Sequence, residues 1–331
     1  MTAAIQTISL EGLTRADWLK LRRRGIGGSD VAAILGLSKW RTPLEVWQDK
    51  TATAPVEDRE PSQAAHFGTV LEETVAQEFA SRTGYRIKTA PGMLQTDDRP
   101  WECANVDRLI YNQGDTLPDL PPAALLECKT ARTADGWGPS QEEEIVAGGD
   151  PEGHEIPVYY ETQVQWYLGI TGLPIAYVAV LIAGQDFRVY SVPRNDEVIA
   201  TLRERMEEFW KVHVIGKVPP EAATPSDVRA LYADDSGELE EATNDEAALI
   251  GELQTLRGRI AELESQEKAL ASKLIVAIGP RAGLTIAGKK AATYKTQTSR
   301  RLDSSRLKAN EPELYQDYLA EKKTRVLRLA A

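Results

Sequence analysis

The sequence predicts an α/β chain of the α+β kind: a mixed central sheet flanked by helices, then a helical, coiled-coil-like C-terminal extension. Three observations carry this. Residues 66–83 (HFGTVLEETVAQEFASRT) have the apolar period of an amphipathic helix. Short β-type segments follow it, and a further helix separates the first group of them from the last two. From Ala247 onward the apolar residues change to a 4-3 spacing not seen earlier in the chain.

The elements are expected in this order. TRADWLKLRR (14–23) reads as a helix. Gly25, Gly27 and Gly28 then make a turn, and Ser29 stands at the N-cap position of the helix DVAAIL. Free N–H groups at such a helix start form an anion-binding geometry, with an ordinary capped turn as the alternative. In the helix 66–83, closed by Gly84, Val75 and Phe79 mark the buried face. Glu72 shares that stripe, whereas Glu73 aligns with Gln77 and reads as solvated. Strands are expected at YRIK (85–88), WECA (101–104), VDRLIY (106–111) and AALLECK (123–129), with Asn112, Gly114 and Pro118 marking the turn before the last.

Residues 133–154 are loop-like, and Pro157 opens a helix on which Tyr160, Gln163, Val164 and Tyr167 share one face. The strands IAYVAVLI and FRVYSV and a helix from Glu197 to about Val214 complete a first domain, residues 1–215. Residues 216–245, with three prolines and an acidic run, read as a linker to a C-terminal extension, 246–331. In the extension Leu249, Leu253, Leu256, Ile260, Leu263, Leu270 and Leu274 keep coiled-coil spacing, interrupted where Glu267 takes a seam position. A coiled coil and a helix folding back on its own domain both satisfy this pattern. The tail adds a strand-like AATYKTQ, a helix around Glu313 to Leu319 and a closing RVLRL.

Composition bounds the function. At 42% hydrophobic and 27% charged residues, the 331-residue chain is typical of a globular protein. No apolar run approaches the ~18 residues of a membrane span, and the N-terminus lacks the pattern of a signal peptide, so a cytoplasmic location is expected. Cys103 and Cys128, without metal-type spacing, read as buried fillers. The net charge of −11 does not exclude a nucleic-acid partner. Residues 281–331 carry 12 Lys or Arg against 5 Asp or Glu, and basic groups lining one groove suffice.

Chemistry is suggested by Glu127 and Lys129, two apart on a predicted strand and so on one face, with Leu126 and Cys128 on the other. An E-x-K pair alone is common and often a surface ion pair. Its context is not: Asp107 lies on the preceding strand, Glu72 on an inward helix stripe and Gln163 on another. A buried cluster of Asp107, Glu127 and Glu72 needs a cation, and hard oxygen ligands without Cys or His select Mg2+, or Mn2+, over zinc.

The motifs RRRGIGGSDVAAILG, FGTVLEE, NVD, LLECKTA and YYETQVQWYLGITG, spread in that order over about residues 18–215, resemble the lambda exonuclease and YqaJ-type phage nucleases of the PD-(D/E)xK superfamily. The resemblance implies a restriction-endonuclease-like core. It implies Asp107, Glu127 and the Cys128 backbone carbonyl as metal ligands, with Glu72 holding metal directly or through water. Lys129 becomes the catalytic lysine and Gln163 the residue orienting the reacting water or the lysine. Arg22 and Ser29 match a 5'-phosphate pocket, and Tyr160 joins them in the DNA-contacting set. Val106 stands where the superfamily name has Pro. The implied activity is Mg2+-dependent 5'-to-3' hydrolysis of linear double-stranded DNA in phage-type homologous recombination, by a ring-shaped oligomer working with a single-strand annealing protein. An endonuclease with the same core is the competing enzyme reading. A noncatalytic DNA-binding scaffold would be expected to lack one of Asp107, Glu127 and Lys129, and all three are present.

Overall fold

A computed structural model describes residues 4–53, 62–111, 121–149, 151, 153–321 and 323–330. The expected turn at Asn112, Gly114 and Pro118 lies outside the described residues. The chain divides into two compact units, Met1–Leu231 and Tyr232–Ala331.

In the first unit the elements run β1 (Ile5–Ile8), α1 (Arg15–Arg23), α2 (Gly28–Ile34), α3 (Pro43–Thr51), α4 (Gln63–Thr83), β2 (Arg86–Thr89), β3 (Met93–Thr96), β4 (Cys103–Ala104), β5 (Arg108–Tyr111), β6 (Ala124–Ala131), α5 (Glu142–Val146), α6 (Val158–Thr171), β7 (Ile175–Ile182), β8 (Asp186–Pro193), α7 (Asp196–Glu208) and α8 (Pro225–Leu231). The five-stranded sheet has the order β2-β5-β6-β7-β8. All its pairings are antiparallel except β6–β7, which is parallel. A parallel step needs a crossover, and α6 supplies it. This is the mixed sheet with flanking helices that the sequence predicts. A smaller antiparallel sheet, β1-β3-β4, stands beside it.

The period of two along β6 sorts its side chains. Ala124, Leu126 and Cys128 enter the apolar layer under α4 with Val75, Phe79 and Ile110. Leu125 enters the opposite layer with Val164, Tyr167 and Leu168 of α6. Glu127 shares that second face, so its carboxylate is directed to the α6 side, away from water.

Several elements differ from expectation. Helix α4 begins at Gln63, because Ser62 caps it by accepting from the Ala65 N–H. At its other end Gly84 adopts the left-handed conformation (φ 72°). Asp107 lies one residue before β5 rather than within it. The loop 133–154 contains the short helix α5, and β1, β3 and α3 carry too weak a period to be foreseen. Helix α7 continues as π-helical turns, Phe209–Ile215. The stretch 216–245, read as linker, holds α8, whose buried Asp227 accepts from Thr42 Oγ1 (2.9 Å) and from the N–H groups of Ala223 and Thr224 (both 3.0 Å). Satisfied in this way, α8 belongs to the first unit.

The second unit contains α9 (Asn244–Ile278), the hairpin β9 (Gly283–Ile286) and β10 (Lys289–Thr293), α10 (Ser304–Asn310) and α11 (Pro312–Asp317). No helix among the described residues is long and apolar enough to cross a membrane.

Close contact between α2 and α6 depends on Gly28, where a Cβ would lie 2.6 Å from Tyr167 Cε1 and 2.8 Å from Gln163 Cγ. Gly28→Ala should therefore force these helices apart and lower stability by about 1–3 kcal/mol. Urea unfolding of the variant measures this, and a midpoint equal to the parent's would show the contact to be slack.

Candidate active site

The antiparallel register that sets Arg108 against Leu126 brings Asp107, one step earlier, alongside Glu127, one step later. The backbone N–H of Cys128 donates to Asp107 Oδ2 at 2.8 Å and fixes that carboxylate. Lys129, on the same face of β6 as Glu127, donates its ammonium to Glu127 Oε1. Gln163 Nε2, reaching across from α6, donates to that same oxygen and to Tyr167 Oη at 3.1 Å. The ring of Tyr160 covers the ammonium, 4.8 Å from its centroid to Nζ. Side chains from β6, from α6 and from the segment leading into β5 thus meet around one carboxylate pair.

Burial controls the electrostatics. It pushes the Asp107 carboxyl well above the usual carboxylate range, and the neighbouring Glu127 adds to the effect. Glu127 is raised by burial too, against the opposing pull of Lys129. For Lys129 burial favours the neutral amine, but Glu127 and Asp107 outweigh it and keep the ammonium more basic than an ordinary lysine. Glu127 Oε2 is buried and has no hydrogen-bond partner. A buried carboxylate oxygen in that state is costly, and a hard cation is the partner that suits it.

The site also departs from the sequence reading. The sequence puts Glu72 on the inward stripe of α4. Its side chain is instead about one-third exposed and paired with Arg108, Nη1 to Oε1 at 2.7 Å, while Arg108 Nη2 takes Glu73 Oε2 at 2.7 Å. Among the described residues no group of three or more His, Cys, Asp or Glu side chains is placed to hold a metal ion. The carboxylates in closest association are those of Asp107 and Glu127, with Glu72 near enough to raise the proton affinity of both. Arg108 went unnoticed in the sequence because its role depends on reaching from β5 to α4.

A second cluster lies at the Gly-rich turn. Gly27, not Ser29, is the N-cap of α2, and the N–H of Gly27 donates to Asp30 Oδ2 at 3.1 Å. The helix start is therefore capped by the chain's own carboxylate rather than left open to a ligand. Asp30 is fully buried and gathers three cations: Lys50 Nζ at 2.7 Å, Arg41 Nη1 at 2.9 Å and Arg22 Nη2 at 3.9 Å. Arg22 Nη2 also donates to Ser29 Oγ at 2.8 Å, so the structure does bring Arg22 and Ser29 together. Part of the Arg22 and Arg41 side chains stays in solvent, at 26% and 33% exposure. Asp30 had a legible signal, being three residues after the capping glycine. Lys50 had none. Through Gly28 this turn packs directly on Gln163, which links it to the carboxylate site.

Two comparisons fix the lineage of this arrangement. Residues 17–174 match the model of the YqaJ-like viral recombinase domain. Over 313 residues the chain is 34% identical to the uncharacterized protein YqaJ of Bacillus subtilis (strain 168), covering 92% of this chain and 90% of that one. The chain belongs to the YqaJ-like viral recombinase family. The family resemblance read from the five motifs is thereby borne out. Among solved structures, it is similar to an alkaline exonuclease from Laribacter hongkongensis, with 19% identity, 60% of this chain and 92% of that one covered and a TM-score of 0.43. It is also similar to a phage-related exonuclease from Haemophilus somnus 129PT, with 13% identity, 58% and 95% covered and a TM-score of 0.38.

Burial by itself would raise the Asp30 carboxyl, but Lys50, with Arg22 and Arg41, holds it down at about 2. This lies below the ~3.9 of an unfolded aspartate, so the stabilisation is complete above that value and is lost as pH falls through about 2. Asp30→Ala, which strands the Lys50 ammonium, should cost about 3–5 kcal/mol at neutral pH and flatten the acid limb of the stability curve. Chemical denaturation of parent and variant from pH 7 to pH 2 reads both effects, and parallel curves would contradict the assignment.

Proposed function

We propose that this YqaJ-like protein is a Mg2+-dependent deoxyribonuclease, with Mn2+ able to substitute, that hydrolyses linear double-stranded DNA from its ends, 5' to 3', in recombination. The observation that carries the proposal is the half-buried Asp107 against the buried Glu127, beside Lys129, with one Glu127 oxygen lacking a partner. Asp107, Glu127 and the Cys128 carbonyl would hold the ion, which supplies a nucleophilic water and offsets charge on the phosphate.

The chain's own groups do the rest. Lys129, kept protonated by the two carboxylates, directs a fixed positive charge at the reacting phosphate and stabilises the charge that builds there. Gln163 holds Glu127 and the lysine in register through their shared oxygen. Tyr160 shields the ammonium from bulk water, which strengthens its field. Arg22 offers a guanidinium braced by Ser29 and Asp30, a geometry suited to the oxygens of a terminal phosphate, which carries more charge than an internal diester. The basic cluster thus favours DNA ends as substrate.

End-labelled linear duplex and covalently closed circles, each incubated with Mg2+, form the test. Linear DNA should be degraded and circles left intact, and cutting of circles would favour an endonuclease. Lys129→Ala should lose turnover by about 100-fold or more while DNA binding persists, and near-parental rates would reject the mechanism. On substrate ends, 5'-phosphate should be digested faster than 5'-hydroxyl, and Arg22→Ala should remove most of that difference. Equal rates on both ends with the parent protein would remove the phosphate pocket from the account.

A further inference from the structure

Helix α9 does more than extend the chain. Its 35 residues span about 52 Å at ~1.5 Å per residue. A reciprocal capping box starts it, with Thr243 Oγ1 accepting from the Glu246 N–H and Glu246 Oε2 accepting from the Thr243 N–H. Along it the 4-3 seam is open to solvent: Leu256, Ile260, Leu263 and Leu270 are 52–66% exposed. In the rest of the second unit the short hairpin and the two helices of 7 and 6 residues are too short to cover a seam of this length, and the C-terminal segment meets α9 only near the half-buried Leu253, where Gln254 Nε2 donates to the Ala330 carbonyl. Solitary exposed apolar residues are ordinary, but a continuous stripe over about four heptads marks a binding face.

The charges beside the seam point to the occupant. With Leu249, Leu256, Leu263 and Leu270 on one edge and Leu253, Ile260, Glu267 and Leu274 on the other, the flanks carry Glu252, Arg259 and Lys273 on one side and Arg257 and Glu264 on the other. Laid antiparallel against an identical helix, Leu249 meets Leu274 of the second copy, Leu253 meets Leu270 and Ile260 meets Leu263. In that register Glu252 faces Lys273 and Arg257 faces Glu264, each pair occurring twice by symmetry. A parallel arrangement would also form ion pairs but would press Glu267 against its own copy inside an apolar seam. Two like carboxylates there are costly. The antiparallel arrangement sets Glu267 opposite Leu256, with Arg257 adjacent in the chain.

We propose that α9 is a self-association element, pairing antiparallel with α9 of a second copy through the seam Leu249 to Leu274. The argument uses residues 244–278 alone and does not depend on the nuclease reading.

The test uses the full chain in solution. Sedimentation equilibrium of the parent should give an assembly, and the double variant Leu256→Glu, Leu263→Glu should halve its mass while circular dichroism shows the protein still folded. A mass unchanged by the double variant, or a monomeric parent, overturns the proposal. Charge variants at exposed sites give a second readout without touching the apolar seam. Glu252→Lys should weaken association several-fold, and adding Lys273→Glu should restore it, because in the antiparallel register these two face each other. Failure of the paired exchange to restore association overturns the antiparallel arrangement.

Discussion

Two carboxylates, the half-buried Asp107 and the buried Glu127, are brought together by one register of one strand pair, and most of the first unit serves that arrangement. Desolvation raises the proton affinity of both, Glu127 adds to it at Asp107 and Glu72 adds to it at Glu127, and their ionised forms persist only with positive charge close at hand. Lys129 supplies it from the same face of β6, two residues on. The lysine is in turn held protonated by the groups it neutralises, so the three side chains form one electrostatic unit. The apolar partners of β6 on its other face keep the strand from slipping. A one-residue shift would turn Glu127 into the layer of Val75 and Phe79 and Leu126 toward α6.

The rest of the architecture brings in the remaining groups. A parallel step between β6 and β7 requires a crossover, and the crossover helix α6 delivers both Gln163 and Tyr160 to the site. Gly28 lets α2 settle on α6, so the Asp30 cluster and its arginines lie against the same helix. The two clusters have opposite character. In one, two carboxylates share a lysine, and in the other, three cations converge on a single aspartate. Under the proposed function they would take a reacting phosphodiester near the acidic site and further phosphates near the basic one, and a net charge of −11 would not oppose this, since the basic groups are gathered locally.

The grouping of the carboxylate site was partly legible in the sequence. Period-two alternation placed Glu127 and Lys129 on one face, and composition excluded soft metal ligands. Glu72 shows the limit of that reasoning. A helical stripe tells which direction a side chain leaves the helix, not which partner meets it there. A guanidinium on β5 holds Glu72 at the edge of the site. Ser29 shows a similar limit, because a Ser before an apolar run is a common N-cap, yet here the helix is capped two residues earlier, at Gly27, with Asp30 as the reciprocal cap.

By itself the sequence determined the local and periodic features: the helix ending at Gly84, the strand carrying E-x-K, the family-specific order of motifs and the 4-3 seam of α9. Each depends on residues within a few positions of one another, whose spacing the backbone geometry of helix and strand translates directly into a shared face. The tertiary structure decided what depends on contacts across the chain. These are the pairing of Arg108 with Glu72 and Glu73, the convergence of Lys50, Arg41 and Arg22 on Asp30, and the anchoring of α8 by Asp227 on Thr42. In each case a buried or half-buried charge or polar group had to find a partner at long sequence separation. Desolvation makes leaving such a group unpaired expensive, but sequence spacing does not specify which distant residue will satisfy it.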